Sequence, residues 1–112
     1  MAIFAALHRL LTRDHLDGLV DRVTGRAQNA VWRRVCDRVP GMSIHEARGY
    51  IRARAAAVVD REMSILAAEE PTLSPRVKAE LQMVVRHRLV RRLLLENLRR
   101  TNEQRSERRM AA

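Results

Sequence analysis

Residues 38–47 read Arg38-Val39-Pro40-Gly41-Met42-Ser43-Ile44-His45-Glu46-Ala47, and within this stretch one helix ends and another begins. Pro40 lacks an amide hydrogen, and its ring clashes with the carbonyl four residues back, so a helix arriving from the N-terminal side stops here. Ser43 and Glu46 then have the spacing of a capping box, in which each side chain accepts a hydrogen bond from an otherwise unpaired amide. A second stop and start follows in Glu69-Glu70-Pro71-Thr72-Leu73-Ser74-Pro75. There Pro71 closes a helix, Ser74 is placed to cap the next, and Pro75 takes the first helical position, where its missing donor costs nothing.

Between these signals apolar residues recur at helical spacing. Leu16, Leu19, Val20, Val23, Ala27, Ala30 and Val31 precede Pro40, and Ile44, Ala47, Ile51, Ala55, Val58, Val59, Ile65 and Leu66 follow it. Thr12 and Asp14 are cap-type residues that set off a short segment before them. The pattern predicts helices near 2–12, 15–39, 44–69 and 75–100. Short connections at 40–43 and 70–74 fold successive long helices back antiparallel. The expected fold is therefore all-α, an elongated antiparallel bundle of three long helices plus a short N-terminal helix. It forms a single domain over 1–100, and the basic, polar tail 101–112 is expected to be disordered.

Composition narrows the function classes. The 112 residues are 46% hydrophobic, enough for one buried core and not for two ordinary domains. Aromatics are limited to Phe4, Trp32 and Tyr50, which argues against stacking platforms for single-stranded nucleic acid. The single cysteine, Cys36, cannot close an internal disulfide, so a reducing cytoplasm is the expected location. No window approaches the ~18 consecutive apolar residues of a membrane span. The opening run Met1–Leu11 has Ile3, Phe4, Leu7, Leu10 and Leu11 on one side. It reads first as a helix docking on its own body and second as a membrane-surface anchor. His8, His15, His45, His87 and Cys36 show no metal-ligand spacing. No glycine-rich phosphate loop is present, and Ser43 and Ser74 are explained as caps. No catalytic residue, metal or cofactor is expected, and the chain reads as a non-enzyme.

The formal charge is +9 and is unevenly spread: residues 1–75 carry eleven basic and nine acidic side chains, residues 76–112 eleven and four. All but one of the 22 basic residues are arginine, which suits bidentate contact with phosphate or carboxylate. Six of them lie in Val84–Arg100, "VVRHRLVRRLLLENLRR". At 100° per residue, Arg88, Arg91, Arg92 and Arg99 share one face, while Leu89, Val90, Leu93, Leu94 and Leu98 lie opposite. Earlier in the same helix Val77, Leu81, Val84 and Val85 fall on the Arg88 side, so the apolar arc swings about half a turn near 86–88. A straight helix on one flat core does not satisfy both arcs. The expectation is a bend, or a second partner that buries Leu89, Val90, Leu93, Leu94 and Leu98, with Trp32 as a further contact and a second copy of the chain as the natural occupant. Glu62 falls within an apolar stripe and needs a cation, expected to be Arg22 or Arg86.

The segment Gly41–Ala55 resembles the pattern of the ANTAR RNA-binding antiterminator domains at Gly41, Ser43, Glu46, Ala47, Ile51 and Arg52, with Arg48 where those domains have an aromatic residue. A capping box followed by a helix generates most of that pattern, and no function is carried over from it. The leading expectation is a basic helical protein that self-associates and binds a polyanion, such as a nucleic-acid backbone, without sequence specificity through Arg88, Arg91, Arg92 and Arg99. The alternative is a structural or adaptor subunit of a larger assembly that docks on an acidic partner through its leucine- and arginine-rich helix. A peripheral membrane binder is the third reading.

Overall fold

The computed structural model describes residues 2–111, and side chains from residue 13 to residue 111. Among these residues the regular structure is entirely helical: α1 (Ala2–Val35), one 3₁₀ turn (Val39–Gly41), α2 (Ile44–Glu69) and α3 (Pro75–Ala111). The expected apolar face of Ile3, Phe4, Leu7, Leu10 and Leu11 lies outside the described side chains.

Both stop and start signals act as their chemistry requires. The Ser43 Oγ accepts from the Glu46 amide at 3.2 Å, and the Ser74 Oγ accepts from the Val77 amide at 3.2 Å with Pro75 opening α3. Only half of the Ser43 capping box forms: among the described residues the Glu46 carboxylate makes no return bond, although its charge in the first turn still suits the helix dipole. α1 ends four residues earlier than the sequence suggested. Pro40 forbids a regular turn around the Cys36 carbonyl, so the chain tightens into bonds from Arg38 N to Val35 O at 3.1 Å and from Met42 N to Val39 O at 3.0 Å.

Two boundaries differ more. The separate short helix expected over 2–12 is instead the first part of the continuous α1. Thr12 and Asp14 favour a helix start, but no Pro or Gly lies between them to enforce a stop. At the other end α3 continues through the expected tail to Ala111. Residues 101–111 hold Gln, Glu, Arg, Met and Ala, all good helix formers, and no proline. The molecule measures 68 × 29 × 22 Å, a rod in which the C-terminal end of α3 runs past the body.

Most of the core lies in one row of residues on each helix, each stepping by four, with Val20, Val58, Leu66 and Val90 buried beside the rows. α1 contributes Leu19, Val23, Ala27, Val31 and Val35, continued by Val39 in the turn. α2 contributes Ala47, Ile51, Ala55, Val59 and Met63, and α3 contributes Leu81, Val85, Leu89 and Leu93, all buried. A helix turns 400° in four residues, so each such row creeps about 40° around its helix per step and runs obliquely to the axis. This is the swing of the apolar arc in α3. It is a gradual drift along one packing ridge, so α3 needs no break at 86–88, and Leu89, Val90 and Leu93 reach α1 and α2 of the same chain. Ile44 and Ile65, counted in the α2 stripe, fall off its ridge and are 56% and 38% exposed.

Three buried side-chain oxygens are left without partners among the described residues, on Thr24, Glu62 and Asn97. The Thr24 hydroxyl is fully buried and Glu62 has one buried carboxylate oxygen, and neither is hydrogen-bonded among the described residues. The cations expected for Glu62 are engaged elsewhere: Arg22 with Glu69 at 3.3 Å and Arg86 with Asp60 at 3.1 Å.

Leu93→Ala should cost about 2–5 kcal/mol of unfolding free energy, as for other buried leucines, whereas Leu98→Ala on the surface should stay within about 0.5 kcal/mol. Thr24→Val should instead stabilise by about 1 kcal/mol, because it removes a buried hydroxyl that has no partner. Urea denaturation of the three variants measures all of this.

Candidate functional site

α3 presents two different basic surfaces. Arg88 and Arg92 converge on α1, where their guanidinium groups lie 2.7 and 3.6 Å from the same carboxylate oxygen of Asp21. Arg99 is held along its own helix. It grips Glu96 with two bonds, Nε to Oε2 at 3.2 Å and Nη2 to Oε1 at 2.7 Å, and it also reaches Glu103. Arg100 bonds the same Glu96 oxygen at 2.8 Å and lies over the Trp32 ring, 4.9 Å from its centroid. The Arg99 and Arg100 hydrogen bonds hold the Glu96 carboxyl at about 2, well below the ordinary carboxylate range. Three of the four arginines expected to form one free strip therefore carry carboxylate partners, and Arg91 lies apart from them.

Arg91 opens instead onto a groove of about 960 Å³ between α2 and α3. Ile44, Arg48, Arg52 and Ala56 form the α2 wall. The α3 wall runs from Ala79 and Met83 through Arg86, His87, Val90 and Arg91 to Leu94, Leu95 and Leu98. Met83, Leu95 and Leu98 are 62%, 57% and 45% exposed, a concentration of wet apolar surface on one side of a small rod. Four arginines and a histidine stand around this apolar floor, and no carboxylate lines it. Arg86 is tied to Asp60, while Arg48, Arg52 and Arg91 make no ion pair among the described residues. Arg48 and Arg52 sit one turn apart on α2, so both project from the same side.

The expected interface residues divide. Leu89, Val90 and Leu93 belong to the chain's own core and offer no side chain to a partner, apart from the edge of Val90 in the groove. Leu94 is half-buried against that core, and Leu98 is exposed on the groove. Trp32 is half-buried on the core and covered by Arg100. Met83 and Leu95 escaped the sequence reading, and Arg48 and Arg52 entered it only through the antiterminator resemblance and not as site residues. Arg48 and Arg52 did leave a signal, an i,i+4 pair beside the Ala47–Ile51 ridge, but its meaning depends on which helix lies across from it.

Charge is also divided along the rod. Leu98 and Ile44 line one groove and Arg100 covers Trp32, so the far part of α3 runs beside the α1–α2 connection. Residues 30–57 and 91–111, which make this end, carry thirteen arginines against five carboxylates, net +8; the rest of the sequence carries nine basic against eight acidic groups, net +1. Among the described residues no group of three or more His, Cys, Asp or Glu side chains is gathered as metal ligands would be, and no helix is long and apolar enough to cross a membrane.

No known family, curated protein or solved structure matches this chain. A functional reading therefore rests on its own surfaces.

The Glu96 cluster makes a pH prediction. Its folded-state pKa lies below the ordinary 4.5, so its stabilisation is complete above that pH and is lost as pH falls towards 2. In thermal melts recorded across that range, wild type and Glu96→Gln should differ at neutral pH and converge as the acid is titrated.

Proposed function

We propose that the chain is a non-enzymatic interaction module that docks an acidic partner protein on the cationic half of its rod, with the α2–α3 groove as the contact surface. The observation that carries this reading is the groove's composition, an exposed apolar floor beside Arg48, Arg52 and Arg91, which have no carboxylate partner among the described residues. Phosphates alone have no use for Met83, Leu95 and Leu98, whereas protein interfaces combine a buried apolar centre with a charged rim. The same composition argues against self-association through this face, because a two-fold contact would press one set of arginines against another. A reducing cytoplasm remains the expected compartment.

A nucleic-acid backbone is the second reading, favoured by the +8 on one half of the rod. The two readings separate by which arginines matter. Anisotropy titrations should use the full chain with a labelled 20-residue polyglutamate and, separately, a labelled 20-base-pair duplex, each at two salt concentrations. On the partner-protein reading, Arg48→Glu with Arg52→Glu weakens polyglutamate binding about tenfold or more. Arg88→Ala with Arg92→Ala changes it less than about twofold, because those side chains are already engaged by Asp21. On the nucleic-acid reading the duplex binds with a log–log salt slope of about −0.9 per phosphate contact, and Arg91→Ala with Arg92→Ala flattens that slope by about two. Absence of salt-dependent binding to either probe would remove both readings.

A further inference from the structure

We infer that the groove seats a single amphipathic helix of the partner, lying between α2 and α3 as the fourth helix of the bundle, with carboxylates one turn apart facing Arg48 and Arg52. This rests on the acidic-partner reading above and adds the shape and chemical pattern of the ligand.

The shape follows from the walls. Two antiparallel helices make a trough, and α1 already fills the trough on one side of the α2–α3 pair. The opposite trough is open and apolar at its base, which is the position a fourth helix takes in a bundle. Its length is set by α3: from Ala79 to Leu98 the lining runs about 28 Å at 1.5 Å per residue, the length of a helix of about 19 residues. An extended peptide has no free strand edge to pair with here. A helix brings its backbone hydrogen bonds already satisfied and needs only a stripe of side chains to enter the trough.

The chemical pattern follows from the asymmetry of the walls. Towards the α1–α2 end, α2 offers Arg48 and Arg52 between Ile44 and Ala56, while α3 offers Leu94, Leu95 and Leu98 across from them. A helix lying there buries leucine-like side chains at i, i+3, i+4 and i+7 against the α3 side. It turns one flank towards α2, where glutamates or aspartates at i and i+4 meet the arginine pair bidentately. Arg91 and His87 stand on the other wall and favour further acid on the opposite flank. A second copy of this chain meets this pattern poorly: of its acidic pairs at i and i+4, Asp17 with Asp21 on α1 and Glu103 with Glu107 on α3, Asp21 is already bound by Arg88 and Arg92 and Glu103 by Arg99. Of its helices, α1 carries three acids against four basic residues through position 29, and α3 is itself arginine-rich. The ligand belongs to another, acidic protein.

The test uses the full-length chain and three 20-residue capped peptides of defined design, measured by isothermal titration calorimetry. The first has leucines at i, i+3, i+4 and i+7 flanked by glutamates at i, i+4 spacing. The second is a scramble of the same composition with no apolar face, and the third replaces the glutamates by lysine. Saturable one-to-one binding of the first peptide alone supports the inference. Arg48→Glu with Arg52→Glu should weaken it tenfold or more, and Leu95→Asp should do so as well. Leu95 is exposed, so circular dichroism of Leu95→Asp should match the wild type and separate lost binding from lost folding. Equal binding of the first peptide and its scramble would overturn the helix while leaving the acidic-partner reading standing. Failure of both peptides, with polyglutamate also unbound, would overturn the two together. Preference for the lysine peptide would overturn the charge pattern.

Discussion

The three rows of residues that step by four are the constraint on which this fold depends. Leu19 to Val35, Ala47 to Met63 and Leu81 to Leu93 meet along the centre of the rod. Because 4 exceeds the 3.6 residues of a helical turn, every row leaves its starting face and climbs around its helix. The buried side of α3 is therefore not the same side at its two ends. Near Leu81 it includes the direction in which Arg88 points. By Leu93 it has moved about a third of a turn round the helix, and Arg99 is left in water.

This drift also distributes the arginines. Where the core still lies on the Arg88 side, Arg88 and Arg92 sit at the edge of the α1–α3 contact and are neutralised by Asp21. Once the core has turned away, the vacated face can only be supported locally, and Glu96 and Glu103 provide that support through pairs along the helix. The groove face, which the ridge never reaches, retains Arg91 and its exposed leucines and methionine without carboxylates.

How much of this was legible in the sequence depends on range. Ser43, Ser74 and Pro75 act within four residues of themselves, and the starts of α2 and α3 fall where those residues place them. The α1 end shifted because the effect of Pro40 reaches back to the carbonyl of Cys36. Leu89 and Leu93 were placed on the correct helix and assigned to the wrong neighbour, since a wheel projection turns a slow drift into an abrupt reversal. The partner of Arg88 and Arg92 was not legible at all, nor that Glu62 would be left without one. Asp21 is 67 residues from Arg88 in the chain, and no local pattern encodes that meeting. The groove suffers the same limit: its walls come from residues 44–56 and 79–98, and only the finished fold shows that Arg48 faces Leu95 and Leu98.

The division of charge along the rod has a kinetic meaning of its own. A body about 68 Å long with nearly all its net charge on one half experiences a torque in any external field. Approaching a negatively charged surface, it rotates end-on before contact, and the collision is already oriented. Such pre-alignment accelerates encounter in dilute salt and fades once the screening length falls well below the size of the charged end, at ~3 Å in molar salt.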